Sequence, residues 1–155
     1  MWAQVRAEIC NDRRMRDPTA VPALDEGVLL LAAHALVAEL FARIDRADIE
    51  EAAELYAEDA SFLGARGPVE IQQTMRRGLE ANAVHRSRHV IGNVRSGIAE
   101  DGSVLVEYTV VAYTLDGTGP LAPRTVIDQE QVVRRRPDGR LEIAEHRLLG
   151  FVPPT

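Results

Sequence analysis

The polar and apolar positions of this chain change rhythm twice. From Leu24 onward, Leu30, Ala33, Val37, Leu40, Phe41 and Ile44 recur at spacings of three and four, which predicts a helix with one buried face. Asp45-Arg46-Ala47-Asp48 breaks that period, and Asp48 is placed to cap a second helix over Ile49 to Tyr56. Ala60 to Leu63 reads as a short edge or bent strand before Gly64. Gly67-Pro68 then opens a third helix with Ile71, Met75 and Leu79 on one face. After Asn82 the rhythm shortens to strands: His89 to Ile98, Val104 to Leu115, Thr125 to Arg135 and Leu141 to Phe151. Glu100-Asp101-Gly102, Asp116-Gly117-Thr118-Gly119-Pro120 and Pro137-Asp138-Gly139 join them with hairpin chemistry. Three helices followed by an antiparallel meander predict an α+β domain, a curved sheet burying one face against the helices. Residues 1–22 show no sustained apolar period and read as an N-terminal arm ahead of a single domain over 23–155.

Composition narrows the chemistry. The 155 residues carry a formal charge of −6, a field that repels nucleic acid and anionic membranes. No apolar run approaches the roughly 20 residues of a bilayer span, and the first residues lack a signal-peptide layout. A cytoplasmic protein with neither nucleic-acid nor membrane partners is the expectation. Cys10 stands alone, so neither an internal disulfide nor a multi-cysteine metal site is expected. All 18 basic residues are Arg. Schiff-base catalysis, pyridoxal phosphate anchoring and a Walker-type phosphate loop each need a Lys, and so drop out. Arg134-Arg135-Arg136 runs into a turn and reads as a solvated hairpin end. Gly117-Thr118-Gly119-Pro120-Leu121-Ala122 matches a dinucleotide fingerprint by letter only, since it lies between two strands. His85 and His89 have a zinc spacing, but the segment is leaving a helix and Arg86 and Arg88 flank it. No metal is expected there.

The element order resembles the nuclear transport factor 2-like superfamily, within it the SnoaL-like and scytalone dehydratase-like branch. The residues that carry the likeness are Leu55-Tyr56-Ala57-Glu58-Asp59-Ala60-Ser61-Phe62, Arg88-His89-Val90-Ile91-Gly92-Asn93 and Arg134-Arg135-Arg136-Pro137-Asp138-Gly139. The resemblance implies a conical half-barrel closed by the helices, a site inside it that works without cofactor, and a homodimer formed through the outer sheet face. It also implies a catalytic role for His89. The pattern departs elsewhere: Tyr113 and Leu115 stand near the place of a second histidine, and Glu39 and Ala38 stand for the aspartate and tyrosine of the first helix.

Strand alternation gives the candidate site. His89, Ile91, Asn93 and Arg95 share one face, Glu107, Thr109, Val111 and Tyr113 the next, and Val126, Asp128, Glu130 and Val132 the third. If these faces point inward, the cavity holds His89, Asp128, Glu130 and Tyr113 as catalytic groups and Asn93 as a substrate ligand. Tyr56, Glu39 and His34 are further substrate-side candidates, each also readable as core or boundary packing. Asp59 reads as a turn or cap. Glu145 and His146 point to opposite faces of the last strand, and alternation does not choose between them. The outer face is then expected to carry Tyr108, Val110, Ala112, Ile127 and Val133. The function this suggests is a cofactor-independent acid–base lyase or isomerase for a small hydrophobic, oxygenated molecule of polyketide, terpenoid or aromatic type. An epoxide hydrolase and a non-catalytic ligand-binding or assembly subunit are the alternatives. A cavity with His89 bonded to a carboxylate distinguishes an enzyme from an assembly subunit, whose cone would be filled.

Overall fold

The computed structural model describes residues 24–81, 87–115 and 123–152. The N-terminal arm with Cys10, His85 and the glycine-rich loop at 116–120 lie outside the described residues. Three helices, α1 (Leu24–Asp45), α2 (Ile49–Ala53) and α3 (Gly67–Ala81), accompany six strands: β1 (Tyr56–Phe62), β2 (Ala65–Arg66), β3 (Ser87–Ile98), β4 (Val104–Thr114), β5 (Pro123–Arg135) and β6 (Leu141–Val152). The strands form one sheet in the order β2-β1-β6-β5-β4-β3. The architecture is the expected α+β cone, a curved, unclosed sheet with the helices packed on its inner face. One pairing differs from an all-antiparallel sheet: β1 runs parallel to β6, because α3 and β2 intervene before the meander begins.

The apolar stripe of α1 does what its spacing predicts. Ala33, Val37, Leu40 and Phe41 are buried against Val104, Val106, Tyr108 and Val110 of β4 and Val133 of β5. The other side of α1 leaves Val28 and Leu31 exposed. With mean hydropathy 1.8 over Asp25–Asp45, this helix is long and apolar enough to cross a bilayer, contrary to the expectation of no such run; here it packs on the sheet. The second helix is shorter than expected, and Tyr56 already belongs to β1. Asp48 makes no side-chain cap to α2; its carboxylate accepts from Arg46 Nε at 2.9 Å instead.

α3 begins at a sharp corner. Gly67 has φ +70°, and a Cβ there would sit 2.9 Å from the Glu58 carbonyl oxygen. Glu70 reaches back to accept from the Arg66 backbone N–H at 2.9 Å, in the manner of a capping box. Gly67→Ala is expected to cost about 2 kcal/mol, the left-handed backbone and the contact together. Urea unfolding checks it, and a loss under about 0.5 kcal/mol would show that the corner relaxes.

Strand phase decides what enters the cone. Val104, Val106, Tyr108 and Val110 form the inner face of β4 and pair with Val133, Gln131, Gln129 and Ile127 of β5. The expected outer face is therefore wrong for Tyr108, Val110, Ala112, Ile127 and Val133, which share the inner face, Ala112 opposite His89. In β3 the register slips by one residue between Gly92 and Arg95, where Asn93 takes φ +52°. Such a bulge exchanges the faces. His89 and Ile91 point inward before it and Ser96 after it, while Arg95 sits outside opposite Glu107.

Candidate active site

The last residue of α1 meets the first turn of β3. Asp45 Oδ1 accepts from His89 Nδ1 at 2.7 Å and from the Ser87 hydroxyl at 3.1 Å. Asp45 Oδ2 accepts from the His89 backbone N–H at 3.0 Å. Three donors thus fix one carboxylate, and its side chain is only 10% exposed. A carboxylate on Nδ1 sets the tautomer: the proton sits on Nδ1 and Nε2 keeps its lone pair. The Phe41 ring, 5.1 Å away centroid to centroid, holds the other side of the imidazole.

His89 opens into a cavity of about 280 Å³. Phe41, Ile44, Ile49, Phe62, Leu63, Met75, Leu79, Ile127 and Leu148 make most of its wall, and Thr74, Gln129 and His146 add the polar points. No Asp or Glu lines it among the described residues, so an ionised group there meets little that would compensate its lost hydration. Arg77 donates to the Thr74 hydroxyl oxygen at 3.1 Å, which leaves the Thr74 proton for another acceptor.

A second histidine stands across the sheet, differently employed. His146 is buried, with Nδ1 2.7 Å from the Tyr56 hydroxyl and Nε2 2.7 Å from Gln129 Oε1. An amide oxygen only accepts, so the ring proton is on Nε2 and Tyr56 donates to Nδ1. Gln131 Nε2 donates to the Tyr108 hydroxyl at 2.7 Å, and Tyr108 donates in turn to Gln129 Oε1 at 3.3 Å. Every proton in this array has one direction. Burial pushes the His146 pKa down to about 3 and raises those of Tyr56 and Tyr108. The Phe62 ring stacks on His146 at 4.5 Å. With both nitrogens engaged and the ring held neutral, His146 has no free lone pair to offer the cavity and positions its neighbours.

The structure therefore brings together a different set from the one strand alternation suggested. Of the eight candidates, His89 lines the cavity. Asp128, Glu130, Tyr113 and Asn93 do not, because they stand on the outer face. There Asn93 Nδ2 donates to Thr109 Oγ1 at 3.3 Å and Thr109 donates to Asp128 Oδ1 at 2.7 Å, beside an open concavity also lined by Arg95 and Glu107. Glu130 lies against Arg147, at 3.4 Å. Tyr56 is buried behind His146, not among the lining residues. Glu39 is on the exposed side of α1, paired with Arg43 at 2.7 Å. His34 bonds Ser96 Oγ at 2.9 Å, clamping α1 to β3, and partial burial lowers its pKa. Asp59 is neither turn nor cap: it lies within β1 and pairs with Arg134, which also holds Glu142 at 2.7 Å. Arg134 is thus a tie between strands, not a solvated hairpin end.

Asp45, Gln129 and Tyr108 were not among the sequence-derived candidates, and the choice alternation left open between Glu145 and His146 falls to His146. Asp45 had a signal. A carboxylate in the last turn of a helix opposes the macrodipole and is favoured only with a partner. Among the described residues no three His, Cys, Asp or Glu side chains gather as a metal site.

No curated protein matches the chain by sequence. Solved structures match it well in shape. Aln2 from a Streptomyces species superposes with TM-score 0.73 at 18% identity, over 83% of this chain and 93% of that one. ActVI-ORFA from Streptomyces coelicolor gives 0.69 at 18%, over 77% and 95%. The hexachlorocyclohexane dehydrochlorinase LinA-type3 from Novosphingobium barchaimii gives 0.67 at 18%, over 85% and 94%. At such identities the likeness establishes the fold. The profile of the SnoaL-like domain matches residues 37–146, a span that takes in α1 from Val37, the Asp45–His89 pair and His146, and the chain belongs to the SnoaL-like family of the nuclear transport factor 2-like fold.

Proposed function

We propose that the protein is a cofactor-independent acid–base lyase or isomerase for a small, neutral, largely apolar oxygenated molecule. One observation carries the reading: a histidine held at Nδ1 by a largely buried carboxylate lines an apolar cavity, with no partner on Nε2 among the described residues. Nε2 takes a proton from a carbon next to a carbonyl. The C–H electron pair becomes an enolate, whose oxygen accepts from the Gln129 amide or the Thr74 hydroxyl. The imidazolium then returns its proton to a leaving hydroxyl, completing an elimination, or to another carbon, completing an isomerisation. The name of the LinA-type3 neighbour, a dehydrochlorinase, is that of an elimination enzyme and supports this class. A cavity in place of a filled cone speaks against an assembly subunit. An epoxide hydrolase wants a carboxylate reaching water inside the cavity, and Asp45 is occupied by three donors.

The test needs no knowledge of the natural substrate. In D2O, a neutral bicyclic ketone such as 2-tetralone is expected to exchange its α-hydrogens faster with the wild type than with buffer, and the excess is expected to vanish in His89→Ala. Proton transfer by a positioned side chain typically contributes about 10²–10⁴-fold. If wild type and His89→Ala exchange a set of such ketones equally slowly by NMR, the acid–base reading is wrong.

The reading extends to a cytoplasmic homodimer joined through the outer sheet face, where Val90, Val111 and Tyr113 adjoin the Asn93–Thr109–Asp128 chain. Light scattering is expected to give twice the 17.1 kDa of one chain. A mass of one chain at micromolar concentration rules the dimer out.

A further inference from the structure

The mouth of the cavity contains a residue in a conformation that does not suit it. Leu63 and Gly64 join β1 to β2, and both have positive φ, +50° and +85°. That two-residue turn favours Asn-Gly, since a leucine Cβ crowds its own backbone in the left-handed region. Burial does not offset the strain, because Leu63 is 60% exposed. Strain kept at an exposed position beside a site points to a use outside the fold.

The place of Leu63 suggests what that use is. It lines the His89 cavity and also an adjoining groove of about 350 Å³ that includes Ser61, Arg147 and Leu149. The two spaces share Phe62, Leu63, His146 and Leu148. β1 leaves β6 after the Phe62–His146 pair, so past the mouth β6 is paired on its β5 side and the groove opens along its other edge. Arg147 bonds Glu145 at 2.6 Å and Glu130 at 3.4 Å, so its charge is already matched and the groove gives an anion no unmatched cation there.

We propose that Leu63 is a specificity-determining residue, the sill over which an uncharged, apolar substituent of the substrate passes from the His89 cavity into the outer groove. The inference rests on the proposed function, which places the reacting ring in the inner cavity. Substrates are then two-part: a compact neutral ring and an alkyl or alkoxy arm.

The probes are 2-naphthol and its 6-butoxy derivative, with Kd read from naphthol fluorescence. The wild type is expected to bind the butoxy compound about tenfold more tightly, the apolar contact of the arm with Leu63 and the groove. Leu63→Asn suits the turn. It is expected to bind the two naphthols with equal Kd, whatever it loses for 2-naphthol itself, and to melt at the same temperature or a few degrees higher. A preference retained in Leu63→Asn, or equal binding of the two naphthols by the wild type, overturns the inference and leaves the proposed function standing. A lower melting temperature would make Leu63 a structural residue and overturn it as well. If the wild type binds neither naphthol, the cavity reading itself fails and takes this inference with it.

Discussion

Asp45→Asn is expected to slow proton abstraction by about 10³–10⁴-fold while the cavity stays intact, the scale seen when the carboxylate of a histidine-orienting pair elsewhere becomes an amide. The reason lies in the three bonds at Asp45. One oxygen takes the His89 backbone N–H and the other takes Nδ1–H with the Ser87 hydroxyl. An amide has one acceptor. If its oxygen keeps the backbone N–H, its NH2 faces Nδ1, which must then become an acceptor, and the ring proton moves to Nε2. The base is lost without loss of shape. Single-turnover exchange in D2O gives the rate, and 15N shifts of His89 report the tautomer. A variant within about twofold of wild type, with His89→Ala inactive, would show that Asp45 only anchors the strand.

The second large effect is on stability in acid. His146 titrates near 6.5 when unfolded and at about 3 when folded, because burial disfavours its charged form. Between those values the unfolded chain binds one more proton than the folded one, so stability falls as pH falls. The slope is about 1.4 kcal/mol per pH unit below 6.5, accumulating to roughly 5 kcal/mol at pH 3. Above pH 6.5 both states are neutral at this ring and the contribution is flat. His146→Gln removes the titrating group and is expected to flatten that part of the profile, at the cost of a lower stability at pH 7 because the Tyr56 hydroxyl loses its acceptor. Urea unfolding at pH 7, 5 and 4 separates the two. Parallel profiles for wild type and variant would mean that His146 is charged at mild acidity and that the array around it rearranges.

The elements were legible because periodicity reports burial directly. The α1 stripe, the Ile71–Met75–Leu79 face and the hairpin at Pro137-Asp138-Gly139 all follow from spacing and turn chemistry. The inner face of β4 was legible too, though by a plainer rule than the one used to choose it: Val104, Val106, Tyr108 and Val110 carry no charge, and Glu107 interrupts the other set. Grouping Glu107, Thr109, Val111 and Tyr113 with the inward face of His89 turned the strand over. Gln129 and Gln131 hid for the opposite reason. Buried amides look like surface residues in a sequence, and only the hydrogen bonds that satisfy them reveal the difference. The partner of His89 was obscured by distance, since Asp45 lies 44 positions away at a point that reads as a helix ending.

The slip at Asn93 gives β3 two addressees. Its first half serves the cavity through His89 and the core through Ile91, its second α1 through the Ser96–His34 bond. Were β3 to run straight through this point with every residue kept, strict alternation would carry the Arg95 guanidinium into the core and the Ser96 clamp out to solvent. Here spelling matters less than counting: a homologous strand one residue shorter at the slip would keep Arg95 opposite Glu107 by plain alternation, and would need no left-handed residue to do it.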